Sequence, residues 1–352
     1  MRSSLITITL SAAALAAPSN FFSPQCVDSI AQISASATNF DLSTGAPPAN
    51  ATVPVNGTYG IQLHFCKPTT PIPSRSKTLQ VLVHGIGLNG GYWYSGFEPE
   101  KYSYVRYMAA LGFPTLTVTR LGYGNSSHPD PVGVVQAPYD VAIVSAILKA
   151  AREGNFLGAT CAFSRIVYVG HSYGSIIGNG VIASQPKLID AAVLTGYSHG
   201  EIDASKIALV PAATVDPIRF AGLPDGYLTT PNITSRAATF FSSTPNSYDP
   251  KALAFDFAHE DIAAFGEVLT SAYAVVPAPE FTGPVLAING ADDILFCKDT
   301  TCSNLKAEKT FYPKAKSFDA VVIPSTGHSL NFHYSAPKTF FSINSWLVRR
   351  GF

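Results

Sequence analysis

One stretch constrains this chain more than any other: Arg165-Ile-Val-Tyr-Val-Gly170-His171-Ser172-Tyr173-Gly174-Ser175. A compact β-branched run leads directly into Gly-x-Ser-x-Gly, and a helix-compatible segment starts at Tyr173. At a strand-turn-helix corner of this kind the serine sits in a strained conformation, with its hydroxyl exposed above a sheet. Glycine is required at 170 and 174 because side chains there would collide where strand and helix approach each other. The helix also points its first amides at the same spot, which favours negative charge developing there.

The flanking sequence supplies the sheet that such a corner needs. Residues 79–83 form a short apolar run ending in His84-Gly85. A helix is expected around 102–111, a strand over 114–119 and a helix over 139–152. Strands follow at 191–194, 284–288 and 320–323, with a last helix near 337–348. This alternation, with apolar strands, predicts an α/β fold: a mostly parallel central sheet with helices on both faces, built from 79–198 and 284–352. Residues 199–283 break the rhythm with prolines and scattered aromatics such as Phe220, Tyr227, Phe240 and Phe265. At roughly 85 residues this is far longer than an ordinary connection, and it reads as an inserted lid or cap. Residues 17–78 read as a Pro/Ser/Thr/Asn-rich N-terminal extension with one or two strands, one of them near Tyr59 to Cys66.

The first residues read as an address. Arg2, the apolar run from Leu5 and the Ala14-Leu15-Ala16 site make 1–16 a secretory signal peptide, so the mature protein is expected to be secreted and extracellular. No later stretch holds the ~20 uninterrupted apolar residues of a membrane span. Lys plus Arg and Asp plus Glu both total 23, so there is no basic excess to release counterions from nucleic acid, and none is expected as a partner. An apolar fraction of 47% excludes intrinsic disorder.

Four N-x-S/T sequons stand at Asn50, Asn56, Asn125 and Asn232. Five cysteines in an oxidising compartment predict two bridges and one free thiol. The preferred pairing is Cys26 with Cys66 and Cys297 with Cys302, leaving Cys161; the alternative keeps all five reduced and buried. No C-x-x-C pair or H-E-x-x-H helix occurs, so neither a metal site nor a cofactor is expected.

With the Gly170–Gly174 corner in place, the chain resembles the α/β-hydrolase superfamily over most of residues 79–350. His84-Gly85-Ile86-Gly87 looks like that family's oxyanion loop, in which the backbone N–H of Ile86 joins the one after the nucleophile, at Tyr173. The family order of nucleophile, acid and histidine implies Ser172, then Asp293 in Asn289-Gly290-Ala291-Asp292-Asp293, then His328 in Ser325-Thr326-Gly327-His328. Asp292 is the rival acid; His333 and His259 are rival bases that follow no sheet strand in the right order. His84 is expected to order its loop and not to act as the base. One departure stands out: relatives often carry aspartate where Arg120 opens Arg120-Leu-Gly-Tyr-Gly-Asn-Ser126. That loop borders the active site in relatives, so a glycan at Asn125 would crowd the entrance, and Asn125 ranks last among the sequons.

The resemblance implies a secreted serine hydrolase acting on a small-molecule or lipid-like ester through an acyl-enzyme. Epoxide hydrolases share the fold but place aspartate at the elbow. Serine peptidase, lactonase, cofactor-free haloperoxidase and hydroxynitrile lyase activities are alternatives on the same scaffold, as is a non-catalytic ligand-binding homologue, because fold alone does not choose among them.

Overall fold

The computed structural model describes residues 23–44, 51–154, 162–200 and 206–352. The strands run in chain order β1 (Cys26–Phe40), β2 (Thr52–Cys66), β3 (Thr78–Val83), β4 (Thr115–Thr119), β5 (Arg165–His171), β6 (Ala191–Thr195), β7 (Val210–Pro211), β8 (Tyr227–Thr229), β9 (Ala263–Ala264), β10 (Val285–Gly290) and β11 (Phe318–Ile323). The helices are α1 (Pro99–Tyr102), α2 (Tyr104–Ala110), α3 (Ala137–Glu153), α4 (Tyr173–Ser184), α5 (Ala212–Val215), α6 (Ile233–Phe240), α7 (Pro250–Ala258), α8 (Phe265–Thr270) and α9 (Ala336–Arg349).

Eight strands form the central sheet in the spatial order β1-β2-β4-β3-β5-β6-β10-β11. From β4 through β11 all neighbours are parallel, while β2 runs antiparallel to both β4 and β1. The parallel strands are apolar on both sides because two cores press on them. Leu79, Val81, Ile166, Tyr168, Ala192 and Leu194 pack with residues of α3 and α4. Their alternates Leu82, Val167, Val169, Ala191 and Val193 pack with residues of α2 and α9. The strict period of two sends successive side chains to opposite cores, as a sheet covered on both faces demands.

Residues 26–40 are a strand that the sequence does not announce. From Ser29 to Asn39 the burial of β1 alternates strictly, but the inward residues are mostly small (Ala31, Ile33, Ala35, Ala37) and, after Ile30, the outward ones are hydroxylic or amide (Gln32, Ser34, Ser36, Thr38), so the hydropathy contrast is faint. The β1–β2 hairpin lies over α3. Tyr139 donates its hydroxyl to the carbonyls of Ala35 (3.2 Å) and Gly57 (3.3 Å), and Gln136 exchanges hydrogen bonds with the backbone of Phe40.

Between β6 and β10, where a lid was expected, β7, β8 and β9 make a small antiparallel sheet accompanied by α5 to α8. Cys26 is bridged to Cys66, its register partner across the hairpin, and Cys297 to Cys302, with Cα separations of 4.1 and 4.5 Å. The expected leader (residues 1–16), Asn50 and Cys161 lie outside the described residues. Asn56, Asn125 and Asn232 are exposed, and the side chain of Asn232 also caps α6 by accepting from Ser235 N–H. Cys26, His64 and Cys66 group closely enough to suit a metal ion, but both sulfurs are in the disulfide. No helix among the described residues is long and apolar enough to cross a membrane.

Candidate active site

β5 ends at His171 and α4 begins at Tyr173, leaving Ser172 alone at the corner with φ 55° and ψ −120°. That backbone is strained for any L-residue and persists only where the surroundings impose it. The imposition is steric. A Cβ on Gly174 would come within 2.1 Å of the Val83 carbonyl oxygen, and one on Gly170 within 2.6 Å of the Ser175 backbone. Strand, helix and the start of the 84–87 loop therefore close on one another only through these glycines. Gly85 likewise lies against Ser172, where an added Cβ would sit 2.8 Å from the serine Cβ.

Asp293 and His328 follow β10 and β11, the last two strands of the sheet. The Asp293 carboxylate is divided between two tasks. Oδ1 accepts the N–H groups of Leu295 (3.0 Å) and Phe296 (3.3 Å), and Oδ2 meets His328 Nδ1 at 2.9 Å. With Nδ1–H donating to a carboxylate, Nε2 is the free, basic nitrogen of the ring. Nε2 is buried without a hydrogen-bond partner among the described residues. Close backbone approach sets the turn: a Cβ on Gly290 would lie 2.1 Å from the Thr326 carbonyl, and one on Gly196 would lie 3.0 Å from both His171 Cε1 and His328 Cε1.

The rival residues have other neighbours. Asp292 accepts hydroxyls from Ser242 and from Thr244 (2.8 Å), fastening the chain after α6. His333 is buried; its Nε2 accepts N–H groups from Ser242 (3.0 Å) and Gly327 (3.1 Å), and its Nδ1 donates to Ser329 O (2.8 Å). Burial lowers it to about 4, so it stays neutral. His259 ends α7, its ring stacked on Phe255 at 4.1 Å. His171 stacks on Tyr92 (4.4 Å) and meets the tilted ring of His328 (4.9 Å), and burial, then the neighbouring His328, holds it well below the ordinary histidine range.

The 84–87 loop is held in place, and its Ile86 N–H is free. Neither that N–H nor Tyr173 N–H is hydrogen-bonded among the described residues. His84 is a brace: Nε2 accepts Arg120 N–H (3.0 Å) and Nδ1 donates to Gly85 O (2.9 Å), while burial and then the Arg120 charge keep it neutral.

Sequence reasoning flagged Arg120 only as a departure and gave Arg236, Glu267 and Asp140 no role. All four are buried. Arg120 pairs with Glu267 on α8 and lies 3.7 Å from Asp140. Tyr173 donates its hydroxyl to Asp140 (3.3 Å), whose acidity is weakened first by burial and then by Glu267. Arg236 on α6 meets Asp256 through two hydrogen bonds (2.7 and 3.0 Å) and Glu260 at 3.3 Å. The low charged fraction of the chain, 13%, was the one available hint, since it makes any arginine inside an apolar segment conspicuous.

Above Ser172 lies a cavity of about 200 Å³, lined by Ile86, Tyr173, Ile176, Ile207, Leu209, Phe240, Val268, Ser271, Leu295 and Phe296. Two larger, more open clefts lie elsewhere: about 660 Å³ beside Pro186 and Arg350, and about 720 Å³ between Tyr94 and His259. Neither reaches Ser172, so the smaller cavity is the one that bears on chemistry.

A strained serine on a strand-to-helix corner, within a mostly parallel sheet flanked by helices, defines the class. The model of the alpha/beta hydrolase family matches residues 80–343, and the chain belongs to that family. Among solved structures, a thermophilic esterase from Thermogutta terrifontis is similar over 92% of this chain and all of its own (TM-score 0.58, 16% identity). An epoxide hydrolase from Vigna radiata is similar over 82% of this chain and 95% of its own (TM-score 0.53, 13% identity). E-2-(acetamidomethylene)succinate hydrolase gives the same coverages (TM-score 0.51, 19% identity). At such identities the likeness speaks to the fold. No curated protein sequence matches the chain.

Proposed function

We propose that this protein is a secreted serine hydrolase that cleaves carboxylic esters of short or single-ring apolar acids. The observation that carries the reading is the combination at one corner of a strained Ser172, two free N–H groups at Ile86 and Tyr173, and an Asp293–His328 pair with Nε2 unpartnered. His328 Nε2 takes the Ser172 proton as Oγ attacks the ester carbonyl carbon. The oxyanion that forms is met by the N–H groups of Ile86 and Tyr173, and Asp293 steadies the imidazolium. The acyl C–O bond then breaks, the alcohol leaves with the proton from His328, and the acyl group remains on Ser172. Water activated by the same histidine releases the acid.

The excursion between β6 and β10 acts as a cap that shapes the acyl site, supported by Ile207, Leu209, Phe240 and Val268 in the cavity wall. At ~30 Å³ for each water-sized group, about 200 Å³ admits roughly seven non-hydrogen atoms. Secretion is supported by the leader and by two disulfides, which persist in oxidising compartments. A fluorophosphonate should label Ser172 alone, and turnover of p-nitrophenyl esters should peak between about four and eight acyl carbons and be low at sixteen, by the same volume argument. Labelling at another serine, or none, overturns the assignment.

A further inference from the structure

We infer that Arg120 and Arg236 are positioning residues for this reaction: two buried guanidiniums, one after β4 and one on α6, grip the carbonyls of residues 84, 85 and 87 and so aim the Ile86 N–H at the reacting carbonyl. The inference rests on the ester-hydrolase reading above and concerns how its oxyanion site is held.

The argument begins with peptide geometry. Gly85 C=O and Ile86 N–H belong to one planar trans peptide and point in opposite directions, so a restraint on the first fixes the second. Gly85 O is held by Arg120 Nη2 (3.3 Å) and by His84 Nδ1 (2.9 Å). Arg120 Nε donates to the preceding carbonyl, His84 O, at 3.1 Å. On the far side, Gly87 O accepts from Arg236 Nη1 (3.0 Å) and Asp261 N–H (3.1 Å), and Gly87 N–H donates to Ile262 O (3.3 Å). The peptide that carries the free Ile86 N–H is thus fixed from both ends.

Each clamp is itself fixed by carboxylates. Arg120 lies between the Tyr123 and Tyr173 rings, 4.2 and 4.6 Å from their centroids, and is paired to Glu267. Glu267 is held in turn by Tyr123 OH (2.6 Å) and Ala264 N–H (3.1 Å). The same guanidinium therefore packs on the residue that supplies the second free amide, Tyr173. Arg236 is locked by Asp256 and Glu260 and lies over the ring of Phe240, a cavity residue.

Buried ion pairs add little stability over well-packed apolar groups, because desolvation offsets the attraction. What these arginines supply that apolar groups would not is a rigid fork of donors aimed at specific oxygens, which lysine does not reproduce. Arg236 and Glu267 both belong to the excursion between β6 and β10. That segment accordingly contributes to the chemistry as well as to the choice of acyl group.

The test uses the full secreted chain and the variants Arg120→Lys, Arg236→Lys and Tyr123→Phe. Active sites are counted by fluorophosphonate burst, and kcat and KM are measured on p-nitrophenyl hexanoate. The affinity of a hexanoyl-like trifluoromethyl ketone, whose adduct with Ser172 places an oxyanion in the same site, is measured in parallel. Arg120→Lys should lower kcat per titrated site roughly 100-fold, the scale of losing one oxyanion donor, with KM within about threefold. The ketone should weaken by a similar factor. Tyr123→Phe, which removes one hydroxyl from Glu267, should lower both several-fold and carries the test if the lysine variants do not accumulate folded. Wild-type kcat per site in the variants, or a fall in kcat without weaker ketone binding, overturns the inference. Absence of phosphonate labelling in the wild type instead overturns the ester-hydrolase reading itself.

Discussion

The central sheet and the excursion between β6 and β10 solve the same problem, holding a few atoms still, by different means. In the sheet the Ser172 corner is fixed by backbone against backbone: Gly170, Gly174 and Gly290 each stand where a Cβ would meet main-chain atoms at 2.6 Å or less. In the excursion the fixing is done by charge, with Arg236, Asp256, Glu260 and Glu267 buried at its contact with the loops after β3 and β4. Steric fixing tolerates no added atom but needs no particular side chain opposite, since the glycines meet main chain such as that of Val83 and Thr326. Ionic fixing tolerates small displacements but fails when either partner is lost, because the other is left buried and unpaired.

The sharpest way to test the sheet side is at Ser172, the proposed nucleophile of an ester hydrolase. Ser172→Ala should reduce esterase turnover by a factor on the order of 10⁶, as triad members act as a unit, measured against the uncatalysed rate. Asp293→Asn should cost less, about 10⁴-fold, by losing the required tautomer. Asp292→Asn should cost under about tenfold, since its partners are Ser242 and Thr244. An opposite ranking in steady-state kinetics would exchange the two acids. Gly174→Ala keeps every functional group and should nevertheless destabilise the fold by roughly 3 kcal/mol or more, because the new methyl meets the Val83 carbonyl. Urea titration checks it.

The Cys297–Cys302 bridge tests the loop that carries Asp293, whose carbonyl accepts Cys297 N–H at 3.0 Å. So short a loop removes little chain entropy, below the roughly 3 kcal/mol of a 15-residue loop. Replacing both cysteines by serine should therefore lower kcat several-fold while shifting Tm by only a few degrees. Two free thiols in non-reduced peptide maps would end the idea.

The last effect concerns acid. His333 is lowered to about 4 in the fold, from an ordinary 6.5. Between those values the unfolded chain binds a proton that the folded chain does not, so stability rises with pH through the window and is lost on acidification. The loss approaches about 3 kcal/mol near pH 4. His84 and His171, also pushed down by burial, act with the same sign. His333→Gln should flatten part of the slope of stability against pH between about 4 and 6.5, read from urea midpoints.

What the sequence made legible follows the same division. Steric fixing leaves its mark on the glycines themselves, so Gly170-x-Ser172-x-Gly174 and the turns after β10 and β11 identify their corner from a few adjacent residues. Asp292 and Asp293 stood side by side and only their neighbours separate them. Ionic fixing joins residues far apart, such as Arg120 with Glu267 and Gly87 with Arg236, and nothing local marks one as the partner of the other. The strand β1 was hidden for a third reason: alternating alanine with serine and threonine hardly differs in hydropathy from a loop.

That strand has a bearing on association. Among the described residues β1 ends the sheet, and along its outer side the backbone N–H and C=O groups meet no neighbouring strand. A fifteen-residue edge of this kind is a template on which a second chain can add. From Gln32 onward its outward side chains are Gln32, Ser34, Ser36 and Thr38, so a chain added along that half would gain backbone hydrogen bonds but bury little apolar surface, whereas the first half also exposes Val27 and Ile30. The weak hydropathy that conceals the second half of β1 in the sequence thus leaves that stretch of the edge poorly adhesive.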